Sequence, residues 1–263
     1  MLLHLIADYG PGDLAYAEVR QRLAQHLPDA DVVYVPVPSF DTLSAGFCVA
    51  QLGLGEGPAE RLIYCNVAPR ADEEAPRTDN EGEGLVFAEL PSGVLVAAVN
   101  SGYALSFVRE EVQSLHEVRV PGSGSQFRSR DAFPPLLPAL LGRADRSDDV
   151  LGRALDPAEI PAPPSTAVIY VDGYGNLKTS WSSAPAEVGS RVEVRIGDMR
   201  SMAAVSDGTF AVPAGEMAFA PGSSGWRGRD GVERRWYELL LRGDSAARVF
   251  GFPAAGAAVD IVA

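Results

Sequence analysis

The segment Asp172-Gly173-Tyr174-Gly175-Asn176-Leu177-Lys178-Thr179 sets a carboxylate, an aromatic ring, a carboxamide and a hydroxyl around two glycines. It directly follows the apolar run Ala167–Val171. Polar groups at a glycine-rich bend beside an apolar strand suit small-molecule recognition. The glycines relieve steric limits, so Tyr174 can turn inward. Asp172 can bind an ammonium, and Asn176 can read an adjacent donor–acceptor pair such as the edge of adenine. Lys178 is the only lysine, the other 21 basic side chains being arginines. It either lays its stem along a strand or reaches a ligand. Gly222-Ser223-Ser224-Gly225 is a second backbone-rich turn, fit for a carboxylate or for an exposed hairpin.

The first half of the chain supplies a different set of groups. Asp8 ends an apolar run and precedes the turn Tyr9-Gly10-Pro11-Gly12. A carboxylate at the carboxyl end of such a strand can accept two hydrogen bonds from a vicinal diol. Asp13 reads as the cap of the helix that follows. In Ser39-Phe40-Asp41, either polar residue can cap a helix, and Phe40 can wall an apolar part of a ligand. Asn66 and Asn100 stand at strand ends, as ligand contacts or as turn residues. Phe127-Arg128-Ser129-Arg130-Asp131 offers two arginines for an anion and a small hydroxyl. The alternative there is a weak surface ion pair with Asp131.

Positioning these groups requires two kinds of domain. Residues 1–157 read as a Rossmann-like, three-layer α/β domain, with strands over Leu2–Ala7, Val32–Val37 and Arg61–Val67. Helices are expected over Leu14–Leu27, with Leu14, Ala17, Val19 and Leu23 as apolar positions, and over Thr42–Leu52. Pro69–Gly84 is a polar, acidic loop. Leu85–Glu89 and Gly93–Asn100 pair, Tyr103–Val108 continues the pattern into a helix, and Pro134–Leu141 is helical. Residues 158–165 form a proline-rich linker. Residues 166–263 carry short strands between Gly-containing turns, which predicts an all-β, barrel-like domain.

A net charge of -13 and a pI near 4.7 exclude a basic nucleic-acid footprint. No apolar run approaches the roughly 20 residues of a membrane span, and the N-terminus lacks the pattern of a secretory signal. Cys48 and Cys65 read as buried free thiols, consistent with a cytoplasmic protein. Three scattered histidines give no metal pattern.

In order and spacing these segments resemble the S-adenosyl-L-methionine hydroxide adenosyltransferases and the related fluorinases and chlorinases. The resemblance runs from Leu5–Gly10 through Pro38–Leu52, Phe127–Phe133, Leu151–Pro157 and Asp172–Thr179 to Gly243–Gly251. It implies S-adenosylmethionine as substrate or ligand, no further cofactor, and displacement of methionine from the ribose 5′ carbon. It also implies a homotrimer with intersubunit sites. Asp8 would then hold the ribose hydroxyls, Asp172 the methionine ammonium and Asn176 the adenine. Tyr174 would pack beside the adenine, and Ser223 would lie near the methionine carboxylate.

The departures fall on the reacting end. Family hydrolases carry Asp in Asp-Pro-Gly-Val-Gly, a following Arg, and His in Phe-His-Gly-Arg-Asp. Here Asn66 replaces the Asp in Asn66-Val67-Ala68-Pro69-Arg70, and Arg128 replaces the His. Arg70 or Arg77 can stand for the family arginine. Neither Asn66 nor Arg128 is a general base near neutral pH. Ser129 falls where the halogenases carry a halide-contacting serine, but Pro69 occupies their threonine position. The insert Trp226–Arg235 brings four arginines to the amino-acid end. The expected function is S-adenosylmethionine hydrolysis, with Asn66, Arg70 or Arg77, and Ser129 around the water. A non-catalytic binding protein is the second expectation, and a halide-dependent cleavage the third.

Overall fold

The computed structural model describes residues 1–70, 74–75, 82–91, 93–121, 125–144 and 147–262. The chain divides into two compact units, Met1–Ala162 and Pro163–Ala263. Arg77 lies outside the described residues.

The first unit alternates strands and helices from its start: β1 (Leu2–Ala7), α1 (Leu14–His26), β2 (Asp31–Pro36), α2 (Thr42–Leu54) and β3 (Arg61–Asn66). Strands β4 (Leu85–Glu89), β5 (Leu95–Val99) and β6 (Ser114–Val118) follow. Three single-turn helices, α3 (Arg128–Asp131), α4 (Leu137–Leu140) and α5 (Ser147–Val150), lead to β7 (Leu151–Ala154). The sheet order is β2-β1-β3-β5-β4-β6-β7. β1, β2, β3 and β5 are parallel, whereas β4, β6 and β7 pair antiparallel. Near-continuous apolar runs in β1 and β3 belong to strands covered on both faces. Helix α1 and the Phe133–Leu140 segment cover one face, and α2 the other, so this is the expected Rossmann-like α/β layering.

Helix α1 begins where the Asp13 carboxylate accepts the Ala15 N–H at 2.8 Å. Its inner face is narrower than the sequence pattern implies. At 3.6 residues per turn Tyr16, Val19 and Leu23 share one side, and Leu14 lies opposite them. Leu14 is accordingly 70% exposed, and Ala17 is exposed too. Helix α2 is capped by Asp41, whose carboxylate accepts the Ser44 N–H at 2.9 Å. It is buried almost all round from Thr42 to Ala50. Tyr103–Val108 is not a strand: residues 102–111 run as turns. They close down on α2, where Thr42 Oγ1 accepts the Tyr103 N–H at 3.1 Å. Gly46 permits this approach, since a Cβ there would stand 2.1 Å from the Tyr103 carbonyl oxygen.

The second unit contains β8 (Val168–Val171), β9 (Leu177–Thr179), β10 (Arg191–Ile196), β11 (Met199–Val205), β12 (Met217–Arg227), β13 (Glu233–Leu241), α6 (Ala246–Val249) and β14 (Asp260–Val262). Its strands form one sheet in the order β14-β10-β11-β12-β13-β9-β8. This barrel-like sheet is strongly curled. Ala167, just before β8 at one end of the order, bridges to Ala258, just before β14 at the other. Val168, Leu177, Val194, Phe219 and Leu239 fill the concave side.

Two sequence expectations change here. Lys178 does not lay its stem along the surface: it is buried and its Nζ donates to Glu238 Oε1 at 2.5 Å. Glu238 is itself only 2% exposed. The residues Gly222–Gly225 are not a separate turn but an irregularity inside β12, between Pro221 and Gly225. Gly222 makes room for the ion pair, because a Cβ there would lie 1.9 Å from Glu238 Oε1. A lysine placed on a central strand has no route to water, so it needs a carboxylate instead.

Removing one partner leaves the other charge buried without compensation. Glu238→Ala is expected to destabilise the second unit by about 3–5 kcal/mol, and Lys178→Met with Glu238→Leu to regain most of that loss. All three tryptophans, Trp181, Trp226 and Trp236, lie in this unit, so their fluorescence during urea unfolding measures it.

Candidate functional site

A cavity of the first unit, about 620 Å³, opens at the carboxyl ends of β1 and β3. Asp8, Phe40, Asn66, Arg70, Arg128 and Ser129 all line it. In an open α/β sheet this is the edge at which strand-end loops diverge and leave a crevice. The volume is that of a small-molecule site.

Asp8 follows β1 directly and bends the next loop toward itself. Its Oδ2 accepts the Phe40 N–H at 2.8 Å. Phe40 takes a left-handed backbone with φ 64 and keeps its ring 54% exposed. Such a conformation is costly for a non-glycine residue and persists because Asp8 anchors the N–H. The second Asp8 oxygen makes no hydrogen bond among the described residues, which leaves an acceptor for a ligand hydroxyl.

A chain of polar side chains crosses the floor. Asn66 Nδ2 donates to the Tyr9 hydroxyl at 2.8 Å, and Tyr9 donates to Ser129 Oγ at 2.7 Å. Tyr64, fully buried, donates to the Ser129 carbonyl at 2.9 Å. With an acceptor lone pair occupied by Tyr9, the Ser129 hydroxyl has its own proton to offer. Successive donors polarise one another, which strengthens the last donor of the series. Burial raises the Tyr9 phenol far above its ordinary pKa, so the group stays a neutral relay. The Asp8 charge adds to that rise, and the hydrogen bonds Tyr9 shares with Ser129 and Asn66 offset part of it.

The two arginines of the 127–131 segment do not form a joint fork. Arg130 Nε and Nη2 donate to Asp131 at 2.7 and 2.8 Å, and Nη1 reaches Glu18 at 3.1 Å. Arg130 also lies 4.9 Å over the Phe127 ring. Its side chain is therefore committed to the outer rim, the surface-pair alternative. Arg128 stays with the cavity: Nη1 donates to the Glu83 carbonyl at 2.9 Å, and the guanidinium lies 5.1 Å over Phe133. Arg70 is exposed, with a left-handed φ of 59, and its N–H donates to Glu83 Oε1 at 2.6 Å.

Glu83 is a cavity residue that the sequence places only in a polar loop. It is 7% exposed. The available signal is its place between Gly82 and Gly84, immediately before an apolar strand. Tyr9 likewise reads in the sequence only as a turn residue, although it follows Asp8 directly.

Asp172, Tyr174, Asn176 and Ser223 belong to the second unit. Asp172 Oδ1 accepts the N–H groups of Tyr174 and Asn176 at 2.9 and 3.0 Å, and Oδ2 accepts Asn176 Nδ2 at 2.9 Å. The carboxylate thus builds its own loop, and Asn176 commits one donor to it. Gly175 is required there: its φ is +80, and a Cβ would meet Ser245 Oγ at 2.0 Å. Within the unit Tyr174 does not turn inward, being 84% exposed. Ser223 is exposed on the β12 irregularity. The insert is the tip of the β12–β13 hairpin. Its arginines are engaged locally, Arg234 with Asp230, Arg235 with Glu233 and Arg227 with the Gly231 carbonyl. Arg229 is also partnered.

Among the described residues no group of three His, Cys, Asp or Glu side chains is placed to hold a metal. Cys48 and Cys65 are buried free thiols, and burial pushes Cys48 up to about 12. No helix among the described residues is long and apolar enough to cross a membrane.

No family model matches the chain, and no curated protein matches it. Solved structures are similar to it, two of them as follows. An uncharacterized conserved protein from Thermotoga maritima superposes with a TM-score of 0.75 at 17% identity, covering 99% of this chain and 100% of that one. A conserved hypothetical protein from Thermus thermophilus gives 0.66 at 20% identity, covering 99% of each. At such identities the likeness is one of fold.

The phenols also set an alkaline limit. Burial, then the charge of Asp8, pushes Tyr34 up to about 12, and its hydroxyl donates to the Tyr9 carbonyl. An unfolded phenol titrates near about 10. Between these values the unfolded chain has lost the proton and the folded chain retains it. Stability is therefore complete below pH of about 10 and falls as pH rises toward about 12. Tyr34→Phe is expected to lower the urea midpoint near neutrality but to flatten its alkaline decline, as followed by circular dichroism.

Proposed function

We propose that the protein cleaves S-adenosylmethionine, with water displacing methionine from the ribose 5′ carbon to give adenosine. The observation that carries this reading is convergence. Asp8, Phe40, Asn66 and the adjacent Arg128 and Ser129 come from four separate segments and line one cavity of about 620 Å³. The available oxygen of Asp8 suits a ribose diol, and the exposed Phe40 ring suits an apolar ligand face. The Asn66–Tyr9–Ser129 series supplies a fixed hydroxyl donor to hold a nucleophilic oxygen. The sulfonium is already an activated leaving group, so alignment and desolvation of water can supply much of the rate. Asp172, Tyr174, Asn176 and Ser223 enter as the groups that recognise ammonium, adenine and carboxylate, in a homotrimer.

A second reading is favoured by the same polar contacts. The Asn66 amide is engaged by Tyr9, and Arg128 by a main-chain carbonyl. Neither residue can take a proton from water. On this basis the site binds S-adenosylmethionine or adenosine without turning it over.

Incubation with S-adenosylmethionine and chromatographic detection of adenosine and methionine separates the two. The hydrolase reading expects both products in equal amounts above the enzyme-free rate. Asp8→Ala is expected to weaken binding at least about tenfold by calorimetry, the scale of a lost charge-assisted hydrogen bond. Tight binding without products leaves the binding protein, and no binding removes both readings.

A further inference from the structure

Three carboxylates line the cavity of the first unit, and their surroundings sort them by use. Asp13 is exposed and caps α1. Asp8 holds the Phe40 loop through one oxygen, and its other oxygen is the diol acceptor of the hydrolase reading. Glu83 is the buried one, at 7% exposure. Withdrawing a carboxylate from water is costly, so its placement calls for a compensating role.

The chain holds Glu83 from both sides. Its Oε1 accepts the Arg70 N–H at 2.6 Å, and its carbonyl accepts Arg128 Nη1 at 2.9 Å. Arg128 is braced in turn by its position over Phe133. Gly82 keeps this corner open, since a Cβ there would approach Arg128 Nη1 to 3.2 Å. The strained φ of 59 at Arg70 belongs to the same arrangement. Among the described residues the Glu83 carboxylate makes no other hydrogen bond. One oxygen is fixed, and the second faces no competing donor among them.

We propose that Glu83 is the general base of this site, which rests on the hydrolase reading above. The water oxygen bonds to the ribose 5′ carbon while the carbon–sulfur bond breaks. The electron pair of that bond moves to sulfur, which leaves as the neutral thioether of methionine. The proton lost by the water passes to the Glu83 carboxylate and then to solvent. Substrate cation and water thus yield adenosine, methionine and one proton. Asn66 and Ser129 orient the water, and Arg128 fixes the base through its main chain.

Glu83→Gln keeps the shape and an acceptor for the Arg70 N–H. It is expected to retain its fold and its calorimetric affinity for S-adenosylmethionine. Its kcat is expected to fall about 100- to 10,000-fold. Glu83→Ala is expected to recover turnover as formate is added, an effect that a purely structural role does not produce. An active wild-type protein with a Glu83→Gln variant of similar kcat, or a Glu83→Ala variant that formate does not rescue, overturns the assignment alone. A wild-type protein that binds but does not turn over overturns the hydrolase reading and the assignment together.

Discussion

The site depends on a buried series of hydrogen bonds that ties strand ends to a distant helical turn. Asn66 closes β3, Tyr9 follows β1, and Ser129 lies in α3, 120 residues from Tyr9. Tyr64 secures the same serine from the middle of the sheet. None of these groups can face apolar surroundings unpaired without a penalty of order 1–3 kcal/mol, so each holds the others in place. If the Ser129 segment shifted, the cavity floor would lose its order. The position of Asp8 one residue before Tyr9 means that the same constraint also places the carboxylate.

Around this floor backbone strain and charge meet at two points, while Thr166 and Phe252 are left-handed in the second unit. Phe40 and Arg70 both adopt left-handed conformations at the cavity, and each has its N–H held by a carboxylate, Asp8 and Glu83 respectively. Strain held by charged acceptors in a crevice is a sign of loops positioned for a ligand rather than for packing. The charged groups of the second unit are arranged differently. Its buried Lys178–Glu238 pair and the Asp172 loop satisfy their charges internally. The loop that stands out most in the sequence is therefore also the one most occupied with its own architecture.

The resemblance to adenosylmethionine-cleaving enzymes directs attention to one end of the cavity. On that resemblance the amide of Asn66 and the guanidinium of Arg128 would stand where hydrolases have a carboxylate and an imidazole. Glu83 lines the same cavity, so a carboxylate is present, delivered by a different segment. On the hydrolase reading proposed above, catalysis rather than binding alone would turn on that side chain more than on Asn66 or Arg128. The likeness to two solved structures extends over almost the entire chain and concerns the fold.

Much of the architecture is legible in the sequence because it rests on local signals. Apolar runs ending in Asp8 and Asn66, the caps Asp13 and Asp41, and the change to short strands after the prolines follow from backbone chemistry. The 102–111 segment is not legible, since its turns exist only to close on Gly46 of α2. The burial of Lys178 is hidden for the same reason: its partner lies 60 residues away on β13. The sequence by itself determined which residue types stand at strand ends, and so which groups were available for chemistry. Only the tertiary structure decided which of them meet. Glu83 becomes a cavity carboxylate through Arg70 and Arg128, and Arg130 is held at the rim by Glu18 as well as by its neighbour Asp131. Such pairings depend on distance in space, which the order of residues does not contain.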